Sequence, residues 1–117
     1  MDEFSITDKK QEDITIIYLN GFLDAHTSSI LEKKFEELLS SNSFKIVVNF
    51  SGLTYISSAG LGVFMAYIEN MRNNSGDIKL CCMSDKIFNI FDMLGFPVLF
   101  NITKDENEAV TKFKQVD

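Results

Sequence analysis

Phe44-Lys45-Ile46-Val47-Val48-Asn49-Phe50, followed by Ser51-Gly52 and then Leu53-Thr54-Tyr55-Ile56-Ser57-Ser58-Ala59-Gly60-Leu61-Gly62, is the stretch whose reading decides the fold. Residues 44–50 are β-branched or aromatic at most positions and apolar on both sides of the alternation. A strand that is apolar on both sides is one covered on both faces, as in a parallel sheet, and turn residues bound it at Ser43 and Ser51-Gly52. Beyond Leu53–Ile56 the period changes. Leu61, Phe64, Met65, Ile68 and Met71 fall on one side of a helix that opens at Ser57-Ser58 and is stopped by Asn73-Asn74-Ser75-Gly76. A buried strand running into an amphipathic helix is half of a parallel β-α-β unit.

The same alternation extends in both directions. Upstream, Asp13–Asn20 predicts a strand closed by Gly21, and Phe4–Thr7 a weaker one joined to it through the polar hairpin segment Asp8–Glu12. Thr27–Leu39 predicts a helix with Leu31, Phe35, Leu38 and Leu39 on one face. Its start has three rival caps, a Ser29-x-x-Glu32 box, Asp24 and Thr27. Downstream, Ile78–Met83 predicts a strand. Ser84 caps a helix over Asp85–Leu94 with Ile87, Phe88, Phe91 and Leu94 inward, and Gly95 supplies a left-handed exit two residues before Pro97. Val98–Ile102 predicts a last strand, and Thr103-x-x-Glu106 opens a final helix carrying Ala109, Val110 and Phe113. The order β-β-α-β-α-β-α-β-α predicts an α/β fold, a mixed but mostly parallel sheet of four to five strands packed with about four helices. A chain of 117 residues is sized for a single domain over 1–117.

Lys plus Arg number 11 against 17 Asp plus Glu, a net charge of −6 with no basic cluster. That balance argues against nucleic acid and against an anionic membrane surface as partners. The acidic start lacks the plan of a secretory signal, and no apolar run approaches the roughly 18 residues of a membrane span. Cys81 and Cys82 are adjacent, so in a strand they would point to opposite faces and stay unbridged. A cytoplasmic location is expected, with no metal and no cofactor. Catalysis is not expected either. Around Ser58 the leading glycine of a nucleophile elbow is missing, and the only histidine, His26, sits in a polar turn before the first helix. No phosphate-binding glycine pattern is present.

What remains is the serine pair at the start of the second helix. Serine there is a favoured N-cap. A phosphate there is also well placed, because free N–H groups and the positive helix end favour an anion. Gly60 and Gly62 weaken the first turns by about 1 kcal/mol each against alanine, which suggests close approach of another chain. From the residues alone, cap and phosphoacceptor both stand.

From about Ile14 to Phe113 the sequence resembles the STAS domains of bacterial anti-sigma factor antagonists. The resemblance lies in Gly21-Phe22-Leu23-Asp24, in Ile46–Phe50, in Leu53–Gly62 and in Ile87-Phe88-x-x-Phe91-Asp92-Met93-Leu94-Gly95-Phe96. It implies a binder rather than an enzyme. The unphosphorylated form would bind an anti-sigma factor with serine kinase activity and so release a sigma factor. That kinase would phosphorylate it, and a PP2C-type phosphatase would reverse the step. By position the acceptor is Ser58, with Ser57 second. The partner-binding residues would be Asp24, Ser57, Ser58, Ala59, Gly60, Leu61 and Gly62. Two positions depart from the family pattern: Ser57 stands where an Asp is usual, and Ala59 where Ser or Thr often follows. The alternative implied is a non-phosphorylated STAS scaffold module of a transporter or signalling complex.

Overall fold

Ten elements follow one another in the computed structural model, which describes residues 3–114: β1 (Ser5–Gln11), β2 (Ile14–Leu23), α1 (Ser28–Ser40), β3 (Lys45–Ile56), α2 (Ser58–Asn73), β4 (Asp77–Cys81), α3 (Asp85–Met93), α4 (Phe96–Leu99), β5 (Ile102–Thr103) and α5 (Glu106–Lys114). The strands lie side by side in chain order, β1 antiparallel to β2 and the rest parallel. With every parallel crossover stepping the same way, the handedness rule lays the connecting helices on one face. Ile46, Val48 and Phe50 of β3 accordingly pack with Leu31 and Phe35 of α1, Phe64 and Met71 of α2, and Ile87 and Phe91 of α3. Val47 points the other way and joins Ile14, Ile16 and Cys81 beneath Ala109 and Val110 of α5. Cover on both faces is why residues 44–50 carry so little polarity.

Phenylalanine holds the larger face together. Phe35 meets Phe64, Phe64 meets Phe50, Phe50 meets Phe91, Phe91 meets Phe96, and Phe96 stacks on Phe100, with centroids 5.0–5.9 Å apart. Each such pair contributes about 0.5–1.5 kcal/mol beyond its buried area. The chain of rings runs from α1 to the end of α4 and fixes the helices relative to β3.

The largest departure from the sequence reading is the length of the central strands. Neither Gly21 nor Ser51-Gly52 ends its strand. Both strands continue, paired through register shifts, to Leu23 and Ile56. Gly21 adopts φ +92, a left-handed value that favours glycine. At Gly52 an added Cβ would lie 2.9 Å from the Leu19 carbonyl oxygen. Asn49 stabilises the irregularity by accepting the Ser51 N–H at 2.9 Å. The two glycines are bulge residues that carry the strand pair onward, not turns.

Other differences are local. β1 runs to Gln11, so the hairpin turn shrinks to Glu12-Asp13, with Glu12 at φ +58. The Ser29–Glu32 box does not form, because Ser29 already lies inside α1. Met65, Phe88 and Leu94, expected inward, are exposed, and Val63 takes a buried place in α2. Val98–Ile102 is not a strand. Pro97, whose fixed φ suits a helix start, opens the short α4, and that turn brings Phe96 and Phe100 onto one inward side, leaving β5 with Ile102–Thr103. The first turn of α5 is held by Asp105, whose carboxylate accepts the Glu108 N–H at 2.8 Å, instead of by Thr103. Finally, β4 stops at Cys81. Cys82 has φ +65 and packs against the same cluster under α5 as Cys81, so the two side chains do not diverge.

Candidate functional site

The extended β2–β3 pair delivers the chain to the start of α2. Ser57 is the last extended residue (φ −100, ψ 173), and its N–H donates to the Leu23 carbonyl at 2.9 Å, fastening the helix start to the end of β2. Its Oγ accepts the Gly60 N–H at 3.4 Å, so Ser57 is the N-cap. Ser58 follows as the first helical residue and is exposed, as is Ala59. Of the two hydroxyls, one is committed to the helix and half-buried while the other stands in solvent.

The two glycines of this turn sit in different surroundings. Gly60 is buried, and a Cβ there would lie 2.7 Å from Cγ of Leu23 and 3.1 Å from Cγ1 of Ile56. Packing inside the chain explains it. Gly62 is exposed, and a Cβ there would meet nothing within 4 Å. The fold therefore has no need of Gly62. Gly62→Ala is expected to stabilise the isolated protein by roughly 1 kcal/mol through helix propensity. Gly60→Ala is expected to destabilise it by about 1–3 kcal/mol through overpacking. Urea unfolding of the two variants beside the parent checks both signs. Ser58, Gly62 and Met65, spaced four and three residues apart, share an exposed side of α2, whereas Leu61 is buried and supports that side from beneath.

Asp24 lies just beyond β2. Its Oδ1 accepts the N–H groups of His26 at 2.9 Å and Thr27 at 3.1 Å, while the Thr27 hydroxyl accepts the Asp24 N–H and donates to the Phe22 carbonyl at 2.8 Å. Desolvation alone would raise the carboxyl. The N–H donors of His26 and Thr27, the Thr27 hydroxyl and the nearby His26 ring outweigh it and hold the group below the ordinary carboxylate range. A depressed carboxyl stabilises the fold fully above its unfolded value, and the contribution fades as pH falls through the folded value. Urea midpoints of the parent and Asp24→Ala are thus expected to differ at neutral pH and to converge in acid. His26 joins this network by hydrogen bond through its backbone N–H, its ring acting only by proximity.

Sequence reasoning missed Phe22 and Tyr55. They are paired across β2 and β3, with centroids 5.6 Å apart and exposures of 38% and 44%. Their neighbours Leu23 and Ile56 are buried, so strict alternation would have placed both aromatics outward had the strands been extended past the glycines. An open groove of about 480 Å³ beside Phe22 is lined by Phe4, Asp24, Thr27 and Ile30 among others. Among the described residues no group of three or more His, Cys, Asp or Glu side chains is placed to hold a metal ion, and no helix is long and apolar enough to cross a membrane.

The STAS domain family model matches residues 5–109. The anti-sigma F factor antagonist of Paenibacillus polymyxa is 26% identical over 104 residues, covering 88% of this chain and 89% of the relative. In fold, the chain is similar to an anti-sigma factor antagonist from Mycobacterium paratuberculosis, with a TM-score of 0.88 at 15% identity over 97% of this chain and 96% of that one. It is also similar to the Bacillus cell fate determinant SpoIIAA in its phosphorylated form, with a TM-score of 0.72 at 20% identity over 95% and 99%. The family match spans nearly the whole sequence and the folds agree over nearly the whole chain: the chain belongs to the STAS domain family.

Proposed function

We propose that this chain is a cytoplasmic anti-sigma factor antagonist, a single STAS domain that acts by binding and not by catalysis. Unphosphorylated, it binds an anti-sigma factor with serine kinase activity, and a sigma factor is released. The kinase transfers a phosphoryl group from ATP to Ser58, the complex dissociates, and a PP2C-type phosphatase hydrolyses the phosphoester to restore binding. The observation that carries this reading is the division of labour at the head of α2: Ser57 caps the helix and Ser58 presents a free hydroxyl one residue on. The names of the curated relatives, and the existence of a phosphorylated form of a structural neighbour, support it.

The electrostatics suit a switch. A phosphate adds about 1.5–2 negative charges. At the first residue of a helix the exposed N–H groups and the dipole favour that charge, so the fold tolerates it. A partner seated on the Ser58–Gly62 side of α2 would have to desolvate it. Gly62 fits this reading, because an exposed glycine that the fold does not need lets another chain approach the helix closely. Ser57→Ala is expected to cost about 1 kcal/mol of stability through the lost cap and to leave phosphorylation at Ser58 intact. Denaturant melts and phosphopeptide mapping of that variant check both halves.

Ser57 in place of the usual Asp favours a second reading, a non-phosphorylated scaffold module of a transporter or signalling complex. Affinity purification from native cells separates the two. Recovery of a histidine-kinase-like ATPase supports the antagonist, and recovery of transporter components supports the scaffold.

A further inference from the structure

The adjacent cysteines lie outside the proposed partner surface, at the end of β4. Cys81 is the last residue of β4 and fully buried; Cys82 is half-buried, and both are free thiols. In a regular strand their side chains would point to opposite faces. The φ of +65 at Cys82 breaks that alternation, and both residues pack against one cluster formed by Ile14, Ile16, Val47, Ala109 and Val110. Consecutive in the chain and packed on one cluster, the two thiols are neighbours on one side of the sheet. A left-handed conformation is unfavourable for a residue with a Cβ, and its result here is to place two consecutive thiols against one cluster at the junction between β4 and α3.

We propose that Cys81 and Cys82 form a dithiol modification site, in which Cys82 reacts with a low-molecular-weight disulfide and Cys81 resolves the adduct into a disulfide between the two neighbours. The roles follow from access. Cys82 reaches solvent, so its thiolate attacks one sulfur of the small disulfide, forming a new S–S bond as the other half leaves as a thiolate. Cys81 is sealed beneath α5, out of reach of a disulfide in solution. It loses its proton to solvent or to the departed thiolate and attacks the Cys82 sulfur, and the second half leaves as a thiol. Two thiols and one small disulfide thus become one protein disulfide and two small thiols, and two electrons pass to the reagent. Burial, followed by the adjoining Cys82 thiol and the Glu106 and Asp105 carboxylates, pushes the Cys81 thiol above the ordinary thiol range. That makes Cys81 a poor first nucleophile, consistent with the resolving part. The ring closes within one dipeptide, whose Cα atoms at about 3.8 Å are closer than in an ordinary disulfide. Closure is therefore strained and needs local backbone adjustment at Cys82, but no separation of β4 from α5.

Incubation of the folded protein with oxidised glutathione, read by intact mass and peptide mapping, tests this. The parent is expected to lose two hydrogens with no retained glutathione. Cys81→Ala is expected to trap glutathione on Cys82, and Cys82→Ser to remain unmodified. A phenylarsine oxide adduct, which requires two neighbouring thiols, is expected on the parent and on neither variant. A stable glutathione adduct on the parent, no reaction of the parent at all, or ring closure only in denaturant would overturn the proposal. Circular dichroism of each variant verifies that the folded state is the one being read.

Discussion

Ser58→Asp is expected to weaken the proposed complex with an anti-sigma kinase by roughly 100-fold, while Ser58→Ala is expected to bind within about threefold of the parent. The size follows from burying an uncompensated charge at an interface, on the order of 3 kcal/mol. The sign follows from where Ser58 sits. It is the first helical residue of α2, exposed, on the same side as Gly62 and Met65, while Ser57 beneath it is held as the cap. Because an acidic group at a helix start is favourable in the free protein, Ser58→Asp is expected to unfold no more easily than the parent. Calorimetric titration and a urea melt together make the result specific. Loss of binding with unchanged stability places the effect in the complex. Equal affinities for the two variants would remove the switch.

Phe91→Ala is expected to have the largest effect on stability, a loss of about 4 kcal/mol. Phe91 is fully buried, and its ring meets Phe50, Phe64 and Phe96, so its removal opens a cavity where β3, α2, α3 and α4 converge. Against a total of about 5–15 kcal/mol for an ordinary domain this is a large fraction, and a fall in Tm of roughly 15 °C follows for a chain of this length. Phe88, three residues earlier on the same helix, is 37% exposed and is the control. Phe88→Ala is expected to cost well under half as much. If the two variants melted together, the orientation of α3 would be wrong, and with it the description of the core.

The strand-helix alternation was legible because burial on both faces imposes a signal that few other arrangements share. β3 is apolar at nearly every residue from Ile46 to Phe50, and α2 and α5 each show one apolar side. Boundaries were less legible where the backbone does something a residue type signals ambiguously. Glycine at positions 21 and 52 reads equally as a turn or as a bulge, and only the pairing of β2 with β3 decides. Pro97 was read as an exit from α3 when it also starts α4. The serine pair shows the same limit at the site. Both residues suit a cap in sequence, and the cap is assigned to Ser57 only once its Oγ is seen facing the Gly60 N–H. The cysteine pair is unbridged, as expected, but its side chains do not diverge, since strand alternation holds only while φ stays extended and Cys82 leaves it.

Phosphopeptide mapping of the protein recovered from its native cells, across growth and stress conditions, tests the central claim most directly. Phosphate is expected on Ser58 in a condition-dependent fraction of molecules, with Ser57 unmodified. Phosphate on Ser57 with none on Ser58, or no phosphate on either residue under any condition, would contradict it.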